Sequence, residues 1–169
     1  MNEKENLNKV IKETIKTKLG APLQCWDVIA IHFDKIGSIQ VEHGILDQYR
    51  KKFKWNINLE KILDTAYDAL ILTDKNIVIR WVDDGFTVMT GYQQTEVLGR
   101  SPKLLHGPNT TTQSSLFIRQ KLNQQKAFDT KVINYRKSGE EYLCGLKIHP
   151  ILDSSNILTH YLALENRLD

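Results

Sequence analysis

The sequence predicts an α+β fold in which two strands, a helical interlude and three further strands follow a helical N-terminal extension. Three observations predict it. Apolar residues recur at helical spacing through the first third of the chain. Later they gather into short runs bounded by turn chemistry, which read as strands. Between these two regimes, from Trp81 to Pro108, Gly85, Gly91, Gly99 and Pro102 interrupt every helical run. One long helix is impossible there, since Gly costs about 1 kcal/mol and Pro about 3 in a helix interior. The apolar residues between the breakers still need burial, so the segment is expected to wrap over a core as single turns covering a pocket.

The extension spans residues 1–55. Leu7, Val10, Ile11, Ile15 and Leu19 share one helical face, with Gly20 as the stop. Pro22 suits a first helical turn, and Cys25, Trp26, Ile29 and Phe33 continue an apolar stripe. A third helix is expected from Ile39 to Phe53, weakened by Gly44. The main domain spans 56–169. Asn58 can cap a helix over Leu59–Tyr67. Ala69–Asp74 and Ile77–Val82 form a hairpin around a sharp Asp-Lys-Asn turn. Beyond the wrapping segment, a helix starting near Thr111 or Thr112 should bury Leu116, Phe117, Ile118 and Leu122. Strands follow over Phe128–Arg136, Glu141–Pro150 and Leu158–Glu165, joined by Lys137-Ser138-Gly139-Glu140 and Asp153-Ser154-Ser155-Asn156.

In Val132, Ile133 and Tyr135, and in Tyr161 through Leu164, apolar residues occupy both strand parities. A sheet with one wet face alternates, so both faces should be covered. The wrapping helices cover one. The N-terminal helices or a second subunit cover the other, which makes a homodimer one of two expected arrangements.

Composition bounds the function. At 169 residues the chain holds one well-packed domain and an extension but not two full domains. The longest apolar runs, Val28–Ile31 and Ala69–Leu72, are far shorter than the roughly 20 residues of a membrane helix. The charged N-terminus has no signal-peptide core, so a cytoplasmic protein is expected. Its two cysteines, Cys25 and Cys144, lack metal-ligand spacing and read as reduced thiols. A net charge of +3 is mild, and the cluster Arg50-Lys51-Lys52-Phe53-Lys54 reads as a solvated helix end, so neither nucleic acid nor a membrane is expected as partner. No Gly-x-Ser-x-Gly, His-Glu-x-x-His, phosphate-binding Gly-rich loop or Rossmann fingerprint occurs, and no enzymatic activity is expected. Asp83-Asp84 resembles a metal pair on paper, but helix capping ahead of Gly85-Phe86 accounts for it better.

The motifs Asp84-Gly85-Phe86, Thr90-Gly91-Tyr92, Glu96-Val97-Leu98-Gly99-Arg100 and Leu104-Leu105-His106-Gly107-Pro108 fall in a characteristic order. With IRQKL (118–122), INYRKSGEEY (133–142) and YLALE (161–165), they give residues 66–166 a specific resemblance to the PAS sensory domain. The most similar branch is the flavin-binding light-sensing (LOV) one. The resemblance implies a five-stranded antiparallel sheet with short helices over one face. It also implies a stand-alone sensory or interaction module in signal transduction, working through a signalling partner or a dimer, with a small-molecule ligand possible between sheet and helices.

Photochemistry in the light-sensing branch depends on a cysteine in a Gly-Arg-Asn-Cys-Arg-Phe-Leu-Gln-Gly run. The matching run is Gly99-Arg100-Ser101-Pro102-Lys103-Leu104-Leu105-His106-Gly107, with Pro102 where the thiol would stand. The resemblance therefore implies a module without the cysteine-adduct photocycle. It assigns Arg119, and Lys103 beside it, to a flavin phosphate, and Asn134 to the ring edge. Cys144 stands for a second ring-binding asparagine, and His106 and Glu165 stand for glutamines. The alternatives are surface cations for Lys103 and Arg119, a strand hydrogen bond for Asn134 and a small buried hydrophobe for Cys144. His106 and Glu165 can instead pair with each other to sense a polar ligand or pH. An ionised Glu165 would repel the flavin's carbonyl edge, so FMN is disfavoured. Haem is disfavoured because His106 lies in a loop, and no cofactor is the expectation. A flavoprotein without the adduct and a dimerisation scaffold with a self-filled pocket are the alternative functions.

Overall fold

The computed structural model describes residues 44–168. The helices expected before residue 44, and Cys25, lie outside the described residues. Residues 45–169 form one compact unit.

Five strands make one antiparallel sheet: β1 (Ala69–Asp74), β2 (Ile79–Val82), β3 (Phe128–Tyr135), β4 (Glu141–Leu152) and β5 (Leu158–Arg167), in the order β2-β1-β5-β4-β3. Helices α1 (44–52) and α2 (Leu59–Leu63) precede it. Between β2 and β3 lie α3 (Asp84–Thr90), α4 (Gln94–Val97), a 3-10 turn (Pro102–Leu105) and α5 (Thr112–Asn123). The expected sheet, and the chain of short turns where Gly and Pro cluster, are both present.

Two elements are shorter than expected, each for a local reason. The second strand begins at Ile79 because Asp74 accepts from the amides of Asn76 (2.8 Å) and Val78 (3.1 Å), and Ile77 turns with φ 61°. That side-chain turn removes residues 75–78 from the ladder. Asn58 caps α2 as expected, accepting from the Lys61 amide at 2.9 Å. The helix nonetheless stops at Leu63 and not at Tyr67, because residues 66–68 are recruited by β5. The Asp68 amide donates to the Glu165 carbonyl (2.8 Å), and its carboxylate accepts from the Arg167 amide (2.8 Å).

Strand parity divides the core in two. Ile71, Val132, Leu146, Ile148 and Tyr161 point toward α3, α4, the 3-10 turn and α5. Leu70, Leu72, Trp81, Leu162 and Leu164 point the other way, onto Leu46, Trp55 and Leu59. Residues 45–67 thus cover the second face over β2, β1 and β5 within the chain. Both faces are covered there, as the mixed parity of β5 requires.

Asp83 joins the first core to the helices. Its Oδ1 accepts from the Phe86 amide (2.8 Å), capping α3, and from the Leu70 amide (2.9 Å) of β1. The acidic pair is therefore a cap, with Asp83 buried and Asp84 exposed. Gly85 follows because nothing larger fits: a Cβ there would lie 2.1 Å from the Asp68 carbonyl oxygen. Gly85→Ala is expected to destabilise the domain by about 2–3 kcal/mol, since the clash is with backbone held in the sheet. The shift in urea midpoint at unchanged slope measures it.

Candidate ligand pocket

A cavity of about 570 Å³ lies between the sheet and the 3-10 turn and α5. Its floor is the set of side chains on one strand parity: Ile71 and Thr73, Val132 and Asn134, Leu146 and Ile148, then Tyr161, Ala163 and Glu165. Its roof is Ser101, Pro102, Lys103, Leu105 and His106 from the 3-10 turn, and Leu116, Ile118, Arg119 and Leu122 from α5. The volume and the apolar walls are those of a site for a small organic molecule.

The roof is pinned at both ends of α5. At its start, the Thr110 hydroxyl donates to the Ile133 carbonyl (2.6 Å), and the Asn109 amide donates to the Tyr135 hydroxyl (3.0 Å). Gly107 lies against the Tyr135 ring so closely that a Cβ would stand 2.3 Å from it. At the far end, the Tyr161 hydroxyl donates to the Leu122 carbonyl (2.9 Å). Between these anchors α5 stands off the sheet. The expectation that its apolar residues are buried is corrected accordingly: Leu116 is 59% exposed and Phe117 38%, while Ile118 and Leu122 are half-buried along the cavity. A helix bridging a cavity lacks the packed floor on which such residues would be buried.

Five of the six candidate residues line this cavity: Lys103, His106, Arg119, Asn134 and Glu165. Lys103 and Arg119 are exposed, hence at its solvent side, and neither forms an ion pair among the described residues. Asn134 and Glu165 are 4% and 3% exposed, and Asn134 Oδ1 and Glu165 Oε2 have no hydrogen-bond partner among the described residues. Buried polar atoms are ordinarily paired, so two orphans beside one cavity call for an explanation.

Cys144 is the correction. It does not line the cavity but packs in the core of β4, its thiol against the Glu165 carboxyl. Burial pushes that thiol well above its ordinary value, with the Glu165 charge adding to the shift. Nor do His106 and Glu165 pair: they share the cavity without a hydrogen bond or ion pair between them. Burial, and then the nearby Lys103 charge, hold the His106 pKa below its usual value, favouring neutral imidazole.

The objection to a flavin rested on an ionised Glu165. Burial raises this carboxyl to about 7, against a hydrogen bond from Cys144 that favours ionisation. Below about pH 7 it therefore keeps a proton and can donate a hydrogen bond, as a glutamine amide would. Thr73 was not anticipated. It faces the cavity beside Ile71, its buried Oγ1 without a hydrogen-bond partner among the described residues, and the parity of β1 points to it.

The family model described as the PAS domain matches residues 68–166, the sheet and all the elements that enclose the cavity. The chain belongs to the PAS domain family. Among curated relatives, phototropin-2 of Oryza sativa subsp. japonica is 28% identical over 118 residues, covering 68% of this chain and 13% of that protein. A blue-light photoreceptor of Listeria innocua is 33% identical over 101 residues, covering 58% of this chain and 40% of that one. A solved structure described as "Flavin Analogue Sheds Light on Light-Oxygen-Voltage Domain Mechanism" superposes with TM-score 0.61 at 29% identity, over 68% of this chain and 87% of that one. This PAS domain is thus similar to sensory domains of signalling proteins, and it spans only a minor part of the curated relatives' length. Among the described residues no helix is long and apolar enough to cross a membrane.

Proposed function

We propose that this PAS domain is a sensory module whose cavity binds a flat, mostly apolar ligand with a hydrogen-bonding edge and an anionic arm. A flavin of the mononucleotide type fits that description. The observation that carries the reading is the combination of two buried atoms without a partner among the described residues, Asn134 Oδ1 and Glu165 Oε2, with apolar walls and two exposed cations on the solvent side. Asn134 and the protonated Glu165 would hold the ring edge. Lys103 and Arg119 would attract a phosphate. A bound flavin supplies a ring that absorbs visible light and carries electrons.

Among the described residues no thiol is placed to attack such a ring. Pro102 lines the roof where the resemblance puts the reactive cysteine, and Cys144, the one cysteine among the described residues, is not in the cavity wall. The domain is therefore read as working without a cysteine adduct. A cavity of this size also weighs against a pocket filled by its own side chains. Output would pass through the shared sheet. Changes at Tyr161, Ala163 and Glu165 on one face bear on Leu162 and Leu164 on the other, where residues 45–67 dock for a partner or a second copy to read.

The charge requirement separates this reading from non-specific hydrophobic binding. Lys103→Gln combined with Arg119→Gln is expected to weaken FMN about tenfold. Riboflavin, which lacks the phosphate, should be unaffected. Equal weakening of both, or of neither, in a fluorescence titration would remove the assigned role of the two cations.

A further inference from the structure

Glu165 is the third residue of the stripe Tyr161, Ala163, Glu165 that β5 presents to the cavity. Its backbone is fixed on both sides: opposite Ala69 of β1 and Leu146 of β4, with its carbonyl accepting from the Asp68 amide at 2.8 Å. The side chain therefore has little freedom to swing out to water. The carboxyl meets the Cys144 thiol, while Oε2 has no hydrogen-bond partner among the described residues.

The groups that perturb its ionisation include no positive charge, and Lys103, His106 and Arg119 line the roof side of the same cavity. From β4 come the Cys144 thiol and the Tyr142 phenol, both held protonated by burial. From β3 comes the neutral Asn134 amide, which also lines the cavity. From the junction of β2 and α3 comes the Asp83 carboxyl, whose charge opposes that of Glu165. Arg136, just past β3, lies over the Tyr142 ring at 5.1 Å and is engaged by Glu140 and by the Met89 carbonyl. Burying a second negative charge beside that of Asp83 is costly.

We propose that the Glu165 carboxyl is the ligand's proton-linked anchor: the site takes a molecule that presents a hydrogen-bond acceptor toward β5, and takes it only with Glu165 protonated. This rests on the reading of the cavity as a ligand site. Its consequence is a response that couples occupancy to pH through one group. The sign follows from linkage. A ligand that needs the protonated form binds fully below the free carboxyl's pKa and loses up to tenfold in affinity per pH unit above it. Because that pKa is about 7, binding should be about thirty-fold weaker near pH 8.5 than near pH 6.

The probe is riboflavin, which is uncharged across this range, so the cavity's own groups carry any pH dependence. Its fluorescence quenching is to be titrated against the full chain across that range, for the wild type and for Glu165→Gln. The amide of Glu165→Gln donates at every pH, so this variant should bind with nearly constant affinity while the wild type falls away. A measurement on the wild type alone guards against misfolding of the variant. Calorimetry near pH 8 in buffers of different ionisation enthalpy should register the uptake of close to one proton per riboflavin bound. A flat wild-type profile with no proton uptake overturns the inference and leaves the ligand site standing. A profile that falls equally in wild type and Glu165→Gln also overturns it, assigning the proton to Asp83 or His106. Failure of riboflavin and FMN to bind at any pH overturns both the inference and the reading beneath it.

Discussion

Trp55→Ala is expected to cost about 3–5 kcal/mol, the largest loss from any single truncation on the outer face of the sheet. Trp55 is 6% exposed and sits where the chain leaves α1, tied to the sheet by a bridge to Asp153. Its ring stacks on Tyr49 at 6.0 Å and meets the edge of His160 at 5.1 Å, with the Phe53 ring 4.5 Å from the same imidazole. These aromatic rings bury His160 and push its pKa down to about 4. The sign is that of a histidine buried neutral. Its folded pKa lies below the unfolded 6.5, so the unfolded state takes up the proton first. Stability is then whole above about pH 6.5 and falls as pH drops toward 4, by on the order of 3 kcal/mol. Trp55→Ala should lower the urea midpoint and flatten this acid slope, because the opened cage lets water reach His160. His160→Gln should flatten the slope with a smaller loss at neutral pH. A Trp55→Ala variant with an unchanged acid slope would show that the cage does not set the histidine's protonation.

Ala163→Phe is expected to abolish ligand binding, by a hundredfold or more, while leaving the fold intact. Ala163 stands at the middle of β5, paired with Ile71 and Ile148, between the two polar residues Tyr161 and Glu165 that border the cavity. Overpacking a filled core costs about 1–3 kcal/mol. Here the ring enters a cavity of about 570 Å³, so the melting temperature should hold or rise. A hundredfold loss corresponds to about 2.7 kcal/mol, within what one misplaced ring imposes on a buried ligand. Retained affinity would place the ligand elsewhere on the molecule.

Much of the fold was legible because its signals are local. Breaker spacing from Trp81 to Pro108 predicts short turns over a core, and the mixed parity of β5 predicts two covered faces. The boundaries at Ile79 and Leu63 were not legible, since one depends on a side-chain turn at Asp74 and the other on β5 capturing residues 66–68. Five pocket residues followed from motif order, yet nothing in the sequence distinguishes Cys144 under Glu165 from Cys144 in the wall. The upward shift of the Glu165 carboxyl is not legible for a related reason: the burial that causes it arises from neighbours distant in sequence.

The central claim is that the cavity between sheet and α5 is a ligand site of flavin class. It is tested most directly by mixing the purified full chain with FMN at about pH 6.5, below the pKa of Glu165. Free flavin is removed by gel filtration and the visible absorption spectrum recorded. The expected result is one flavin retained per chain with a structured blue absorption band, and its loss in Ala163→Phe. A colourless protein after gel filtration, with no quenching of flavin fluorescence in a direct titration, would contradict the account.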